Sequence, residues 1–268
     1  MINFLKNKGY YIYGILFLVS ILPFSGKLCK QKDVLSTKHE LFDSSLTKIQ
    51  NVSSAVLYIN EKYNSRKHFK FDTIEYVQLA SDFTKKRFYH GLTHYSISDN
   101  WIAFLSGKIF WSHLSAIVDP DDILKHPEGL CSQQTIVFMD ILRRKNIVTR
   151  NVGLGYKEGP GHFLAEVFYN NTWHMYDVNL EPKWDKITNR HKSVDYYKTY
   201  PDSLLSVYEG ILDKNIFYKI IGKVNYGNSD EFPAQKMYIF QKICLLFSYL
   251  FPFIFFLLCI YQYKKIKI

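Results

Sequence analysis

Cysteine is scarce in this sequence: of four, Cys29 adjoins a first apolar stretch, Cys244 and Cys259 lie in a second, and only Cys131 falls in the polar middle. A single thiol excludes a disulfide framework there. Long runs of one charge are also lacking. The formal charge of +10 is spread over short groups, Lys85-Lys86-Arg87, Arg143-Arg144-Lys145 and Lys264-Lys265, with no aromatic-basic repeat. Nucleic-acid binding needs a concentrated basic footprint and is therefore not expected. His113, His126, His162, His174 and His191 lack the close four-ligand spacing of a structural zinc site, so no metal or other cofactor is expected. There is no internal repeat and no low-complexity tract. A chain that is 47% apolar and 22% charged reads as globular, one domain with accessory segments, and 21 Tyr and 21 Phe make it unusually aromatic.

Two apolar stretches bracket that domain. Residues 10–24 (YYIYGILFLVSILPF) follow Lys6 and Lys8 and are short for a span unless their aromatic ends sit in the interfaces. A cleaved signal peptide is the alternative, but no small-x-small site follows, and Gly-Lys-Leu before Cys29 does not make a lipoprotein acceptor. Residues 243–261 (ICLLFSYLFPFIFFLLCIY) are long enough to cross the hydrocarbon core, tolerate Pro252 as a kink, and end in Lys264, Lys265 and Lys267. If both stretches span, both termini share one side, and their lysines make it the cytoplasm. The middle then lies outside the plasma or inner membrane. The expected division is 1–32 as anchor or uncleaved signal, 33–125 as the helical first part of the soluble domain, 126–235 as its chemistry-bearing core and C-terminal extension, and 239–263 as a C-terminal transmembrane helix with a basic tail.

Residues 36–63 place Leu41, Phe42, Leu46, Ile49, Val52, Val56 and Ile59 at three- and four-residue steps, which predicts an amphipathic helix. Asp72-Thr-Ile-Glu75 resembles a capping box and starts a second helix. A third follows Ser98 through Trp101, Ile102, Leu105 and Ile109. Asp119-Pro-Asp-Asp122 reads as a turn. After Gly129 the pattern predicts a helix over 131–145, with Ile136, Met139, Ile141 and Leu142 as its buried stripe and Asn146 as its stop. A strand at 148–154 follows, then the breaker-rich run 157–161, then strands at 162–169 and 173–177 joined at Asn170-Asn171.

A thiol is a useful nucleophile only as thiolate, and a helix N-terminus favours that anion. Cys131 opens the predicted helix, and Gly129 before it permits a strained approach that leaves the sulfur exposed. A nucleophile also needs a base and a group to orient the base. With a two- or four-residue connection at Asn170-Asn171, Leu164 lies opposite Asp177, so His162 takes the diagonal position on the same face, within side-chain reach. A slip of one residue would send Asp177 to the other face. Taken singly, a buried inert thiol, a hydrogen-bonded strand histidine and a turn-capping aspartate are the ordinary readings. Their order, helix-start Cys, strand His after a Gly-rich loop, and Asp at the end of the next strand, points to Cys131 as nucleophile, His162 as base and Asp177 as orienter.

The blocks Gly129-Leu-Cys131-Ser-Gln-Gln, Arg150-Asn-Val-Gly, Gly161-His162-Phe-Leu-Ala-Glu166-Val and Trp173-His-Met-Tyr-Asp177 resemble the transglutaminase-like superfamily over about residues 125–180. The resemblance implies an α+β fold with a papain-like core, a catalytic helix packed on an antiparallel sheet, to which N-terminal helices and flanking transmembrane helices are added. It implies cysteine chemistry on amide bonds of a peptide or protein, by proteolysis, deamidation or acyl transfer, through Cys131, His162 and Asp177. Glu166 and Trp173 would support the site; for a second oxyanion donor, Trp101 and Trp111 lie upstream, but neither matches a motif block. Ser132 stands where animal transglutaminases have Trp, and no calcium loop is present, which separates this chain from cross-linking enzymes of that type. Two functions follow as expectations. One is a thiol enzyme held at the lipid bilayer. The other is a non-catalytic binding or assembly module of a cell-envelope complex that keeps the fold.

Overall fold

The structure is a computed structural model that describes residues 2–21, 41–66, 70–155, 161–180, 192–208 and 223–267. In chain order its elements are α1 (Ile2–Ser20), α2 (Val52–Asn64), α3 (Thr73–Arg87), β1 (Tyr89–His90), α4 (Ile97–Ile109), α5 (Pro120–Ile123), β2 (Glu128–Gly129), α6 (Cys131–Arg143), β3 (Thr149–Leu154), β4 (His162–Tyr169), β5 (Thr172–Tyr176), α7 (Val194–Thr199), α8 (Pro201–Tyr208), β6 (Val224–Tyr226) and α9 (Gln235–Lys267), with 3₁₀ turns at Ser44–Lys48 and Ser112–Leu114. Helix and sheet are mixed, and the chain divides into two units. One gathers Met1–Asp33, His94–Ile117 and Ala234–Ile268; the other gathers Val34–Thr93 and Val118–Pro233.

The second unit holds a four-stranded antiparallel sheet in the order β5-β4-β3-β6. Asn170 and Asn171 both adopt left-handed backbone, φ 48° and 61°, and form the two-residue turn whose twist matches a hairpin. That turn fixes the pairing Tyr169↔Thr172 through Ala165↔Tyr176. Because side chains alternate along a strand, Val152, Leu164 and Met175 share one face. Val194 and Tyr197 of α7 and Leu204 and Tyr208 of α8 pack against it. Tyr176 points to the opposite face, where its ring lies 5.7 Å from that of Phe138 in α6. The sheet is thus held between α6 and the α7–α8 pair. Within α6, Ile136, Met139, Ile141 and Leu142 are buried, and so are Val137 and Phe138. Each such side chain contributes about 1.5–3 kcal/mol by leaving water. Asn146 in left-handed backbone, φ 56°, ends the turn after the helix.

The predicted helix over 36–63 is broken. Asp43 caps the 3₁₀ turn by accepting from the Ser45 amide at 2.9 Å, and Asn51 starts α2 afresh by accepting from the Ser54 amide at 2.8 Å. Side-chain acceptors at two successive caps outcompete continuous helical pairing, and Leu41 is exposed rather than core. Residues 36–40 lie outside the described residues. The expected capping at Asp72 is present, with its carboxylate accepting from the Glu75 amide at 3.2 Å. Asp119 through Asp122 forms more than a turn: Asp119 caps the short helix α5, with Pro120 at its first position. The breaker residues 157–160 are outside the described residues.

In the first unit α1 runs antiparallel to α9, with Tyr10 against Tyr263 (6.1 Å between ring centroids) and Phe17 against Phe256 (5.6 Å). Among the described residues one helix, Gln235–Lys265, is long and apolar enough to cross a membrane; the described apolar part of α1, Gly9–Ser20, is shorter. The end of that first stretch, the residues around an expected cleavage site, and Cys29 are outside the described residues. The helix at Trp101, expected in the soluble region 33–125, is α4, and it groups with α1 and α9 instead.

Candidate active site

Cys131 is the first residue of α6, and the cap position before it is Leu130, which has no side-chain acceptor for the helix's leading amides. Two glutamines hold the approach instead. Gln133 accepts from the amides of Leu130 and Thr93, both at 3.1 Å, and donates to the Thr93 carbonyl at 2.8 Å. Gln134 donates to the Gly129 carbonyl at 2.8 Å. Gly129 does not supply the strained backbone expected of it: it is a strand residue in β2, paired in parallel with His90 of β1. Its missing side chain serves close packing, because a Cβ there would meet Gln134 Cγ at 3.2 Å and the Phe88 ring at 3.5 Å.

His162 begins β4. A Cβ on the preceding Gly161 would lie 2.9 Å from the Leu154 carbonyl oxygen, so only glycine lets the strands meet at this end of the sheet. His162 Nε2 and Asp177 Oδ2 are 2.6 Å apart. The β4–β5 register carried one step beyond Ala165↔Tyr176 sets Leu164 opposite Asp177, which makes His162 and Asp177 the diagonal pair the turn predicts. The His162 ring and the Phe163 backbone amide both act on the Cys131 sulfur in the direction that favours its thiolate. The three predicted site residues therefore meet, with the imidazole between sulfur and carboxylate.

Asp177 is buried and its carboxylate is fully engaged. Besides His162, Oδ2 accepts from the Tyr208 hydroxyl at 2.6 Å, and Oδ1 accepts from the amides of Asn179 (3.2 Å) and Leu180 (3.0 Å). Burial alone would raise its pKa, but His162, Tyr208 and the Leu180 amide hold it below the usual carboxylate range. Burial alone would lower the His162 pKa; the charge and hydrogen bond of Asp177, with those of Cys131, outweigh it and push it up to about 10. Burial likewise opposes the thiolate of Cys131, yet the hydrogen bond and charge of His162 and the Phe163 amide bring its pKa below the ordinary thiol value. Each of the three groups is shifted toward its charged form.

Tyr208 was not among the sequence candidates. Its only signal is the four-residue step from Leu204, an ordinary core spacing. Glu166 and Trp173 are where supporting residues are expected. Glu166 is buried, pairs with Arg150 (2.6 Å) and accepts from the Val194 amide (2.7 Å). Trp173 and Tyr226 stack on the Arg150 guanidinium at 4.2 and 4.3 Å. The pair pins β3 and β4 to the start of α7. Trp101 and Trp111 belong to the other unit, where Trp101 packs against Phe251. Among the described residues, which do not include His191, no group of three or more His, Cys, Asp or Glu side chains could hold a metal ion. Compared with known protein families, curated proteins and solved structures, the chain matches none.

Proposed function

We propose that this protein is a membrane-anchored thiol enzyme of the transglutaminase-like, papain-related kind, acting on an amide bond of a peptide or protein outside the plasma or inner membrane. One observation carries the reading: a half-buried sulfur at a helix start shares one imidazole with a buried, fully hydrogen-bonded carboxylate 2.6 Å from the ring. A structural histidine needs neither partner ionised. Here burial is offset on all three groups in the direction of the reactive charge state.

The Cys131 thiolate adds to the substrate carbonyl carbon and forms a C–S bond while the carbonyl π pair moves to oxygen. Amides at the start of α6 face that oxyanion. As the C–N bond breaks, the His162 imidazolium gives its proton to the leaving nitrogen, and an acyl-thioester remains on Cys131. Neutral His162 then takes a proton from water or an amine as it attacks, and the thiolate is regenerated. Asp177 keeps its charge throughout and holds the ring in place.

The test is labelling of the full chain in detergent with an alkyne-tagged chloroacetamide. The expected result is modification at Cys131 that is fast near neutral pH and slowed by about tenfold or more in His162→Ala, the fall in thiolate fraction when the thiol returns toward its usual pKa. Labelling no faster than that of a free thiol and indifferent to His162→Ala would instead favour a non-catalytic envelope module.

A further inference from the structure

The segment 94–117 leaves and re-enters the sheet-bearing unit at adjacent points of the chain, between Thr93 and Val118. Its two ends are tied together: His94 bridges Ala116, and the Tyr95 amide donates to the Ser115 carbonyl at 2.9 Å. Between them α4 carries no charge over residues 100–107 (NWIAFLSG). This closed hairpin packs on the first half of α9. At its ends, Gln241 donates to the carbonyls of Ala116 (2.6 Å) and Leu114 (3.3 Å). Further along α9, the Ser248 hydroxyl donates to Asn100 Oδ1 at 3.4 Å, and Trp101 lies 6.1 Å from Phe251. From Gln241 to Phe251 a helix rises about 15 Å, so the hairpin follows α9 well into its apolar stretch, about half of a hydrocarbon core.

The backbone inside the hairpin is handled as lipid requires. Asn100 leaves helical geometry (φ −154°, ψ 81°), which frees backbone groups in mid-segment. Its own side chain makes up the loss: Oδ1 accepts from the Ala103 amide at 3.2 Å, and Nδ2 donates to the Gln241 carbonyl at 3.0 Å. Irregular backbone at membrane depth is tolerated only where it is covered by protein in this way. Beyond the covered kink the helix ends at Ile109, and Ile109, Phe110 and Trp111 are 67%, 79% and 57% exposed. Three consecutive large apolar side chains are thus exposed on a segment packed along a span-length apolar helix, an apolar surface that water does not favour.

We propose that residues 94–117 are a re-entrant membrane hairpin that enters the bilayer beside the first half of α9 and places Ile109, Phe110 and Trp111 in lipid. The occupant of this face is the acyl and glycerol region of one leaflet. The inference rests on α9 lying in a bilayer and is independent of the thiol chemistry. The full chain carrying Trp101→Phe, Trp173→Phe and Trp184→Phe is reconstituted in phosphatidylcholine–phosphatidylglycerol vesicles, so that Trp111 is the sole tryptophan. A second protein adds Trp111→Phe and Leu257→Trp, reporting from the exposed face of α9. The expected result is blue-shifted Trp111 emission, strong loss with tail-brominated phosphatidylcholine, and little loss with aqueous iodide. Three outcomes overturn the proposal: iodide quenching of Trp111 while Leu257→Trp is quenched by brominated lipid; shielding of Trp111 from both quenchers, which means a protein covers it; and no lipid quenching of either reporter, in which case the span itself is also withdrawn. A cooperative thermal unfolding transition by circular dichroism in both proteins shows that the substitutions leave the sheet-bearing unit folded.

Discussion

In the sheet-bearing unit the buried polar groups include full charges, Arg87, Glu166 and Asp177, each met by several partners. In the unit built on α9 the buried polar groups among the described residues are all neutral, Ser20, Asn100, Gln241 and Ser248. The difference follows from the surroundings each unit would face. A charge can be withdrawn from water if enough dipoles replace its hydration, and a folded core next to water can assemble them. A helix pair in lipid has few spare dipoles, so amide and hydroxyl side chains are what it can satisfy. Arg87 is the extreme case. It donates to the carbonyls of Ile49 (3.2 Å), His126 (3.0 Å) and Leu124, which closes three loops around one guanidinium, and burial brings its pKa down to about 10.

The largest effect that would sharpen this contrast is at the site. Cys131→Ala removes the fast chloroacetamide labelling and leaves only what Cys29, Cys244 and Cys259 take up, and His162→Ala slows the Cys131 reaction at pH 7 by about tenfold or more, because the thiol loses the partner that favours its anion. The pH profile fixes the sign. Since the Cys131 pKa is lowered, wild-type labelling persists below the ordinary thiol range and falls only on further acidification. Since the His162 pKa is raised, its contribution to stability is complete below its unfolded value of about 6.5 and is lost as pH rises through about 10. A labelling profile that coincides with that of a free thiol breaks the comparison at once.

Next in size, Arg87→Met leaves three carbonyls, two of them buried, without their donor and lowers stability by about 3–5 kcal/mol, read as a fall in the thermal midpoint by tryptophan fluorescence in detergent. Tyr208→Phe removes one of the donors to Asp177 and costs about 1.5–3 kcal/mol in the same assay, because the lost bond is to a charged group. Smallest is Asn100→Ala in the α9 unit. Hydrogen bonds between helices in lipid average about 0.6 kcal/mol, so a loss of about 1 kcal/mol is expected in a sodium dodecyl sulfate titration in mixed micelles. A cost for Asn100→Ala equal to that of Arg87→Met would erase the distinction between the units.

Much of this was legible beforehand where the rule is local. The Asn170-Asn171 turn fixed a register, and the register set His162 and Asp177 on one diagonal. Alternation and helical period gave β3, β4, β5 and α6 within a residue or two. Local rules failed where a competing local interaction won, as at Asp43 and Asn51, whose caps split one apolar stripe into two elements. They failed also where the partner lies far along the chain. Tyr208 is 31 residues from Asp177, Arg87 is 37 to 39 from the carbonyls it holds, and Asn100 is 141 from Gln241. Arg87 reads as a surface charge next to Lys85 and Lys86, and nothing in its neighbours says otherwise.

The sequence by itself determined which groups are available and how each sits on its own element: the sulfur at a helix start, the imidazole on a strand, the carboxylate one hairpin away, and an apolar helix closed by lysines. Short-range sterics and the two-residue period of a strand are enough for that. Only the tertiary structure decided what those groups are worth, because a pKa depends on every dipole and charge that replaces water around the group. The Tyr208 hydroxyl on Asp177 and the α4 hairpin on α9 come from chain contacts that no local pattern encodes.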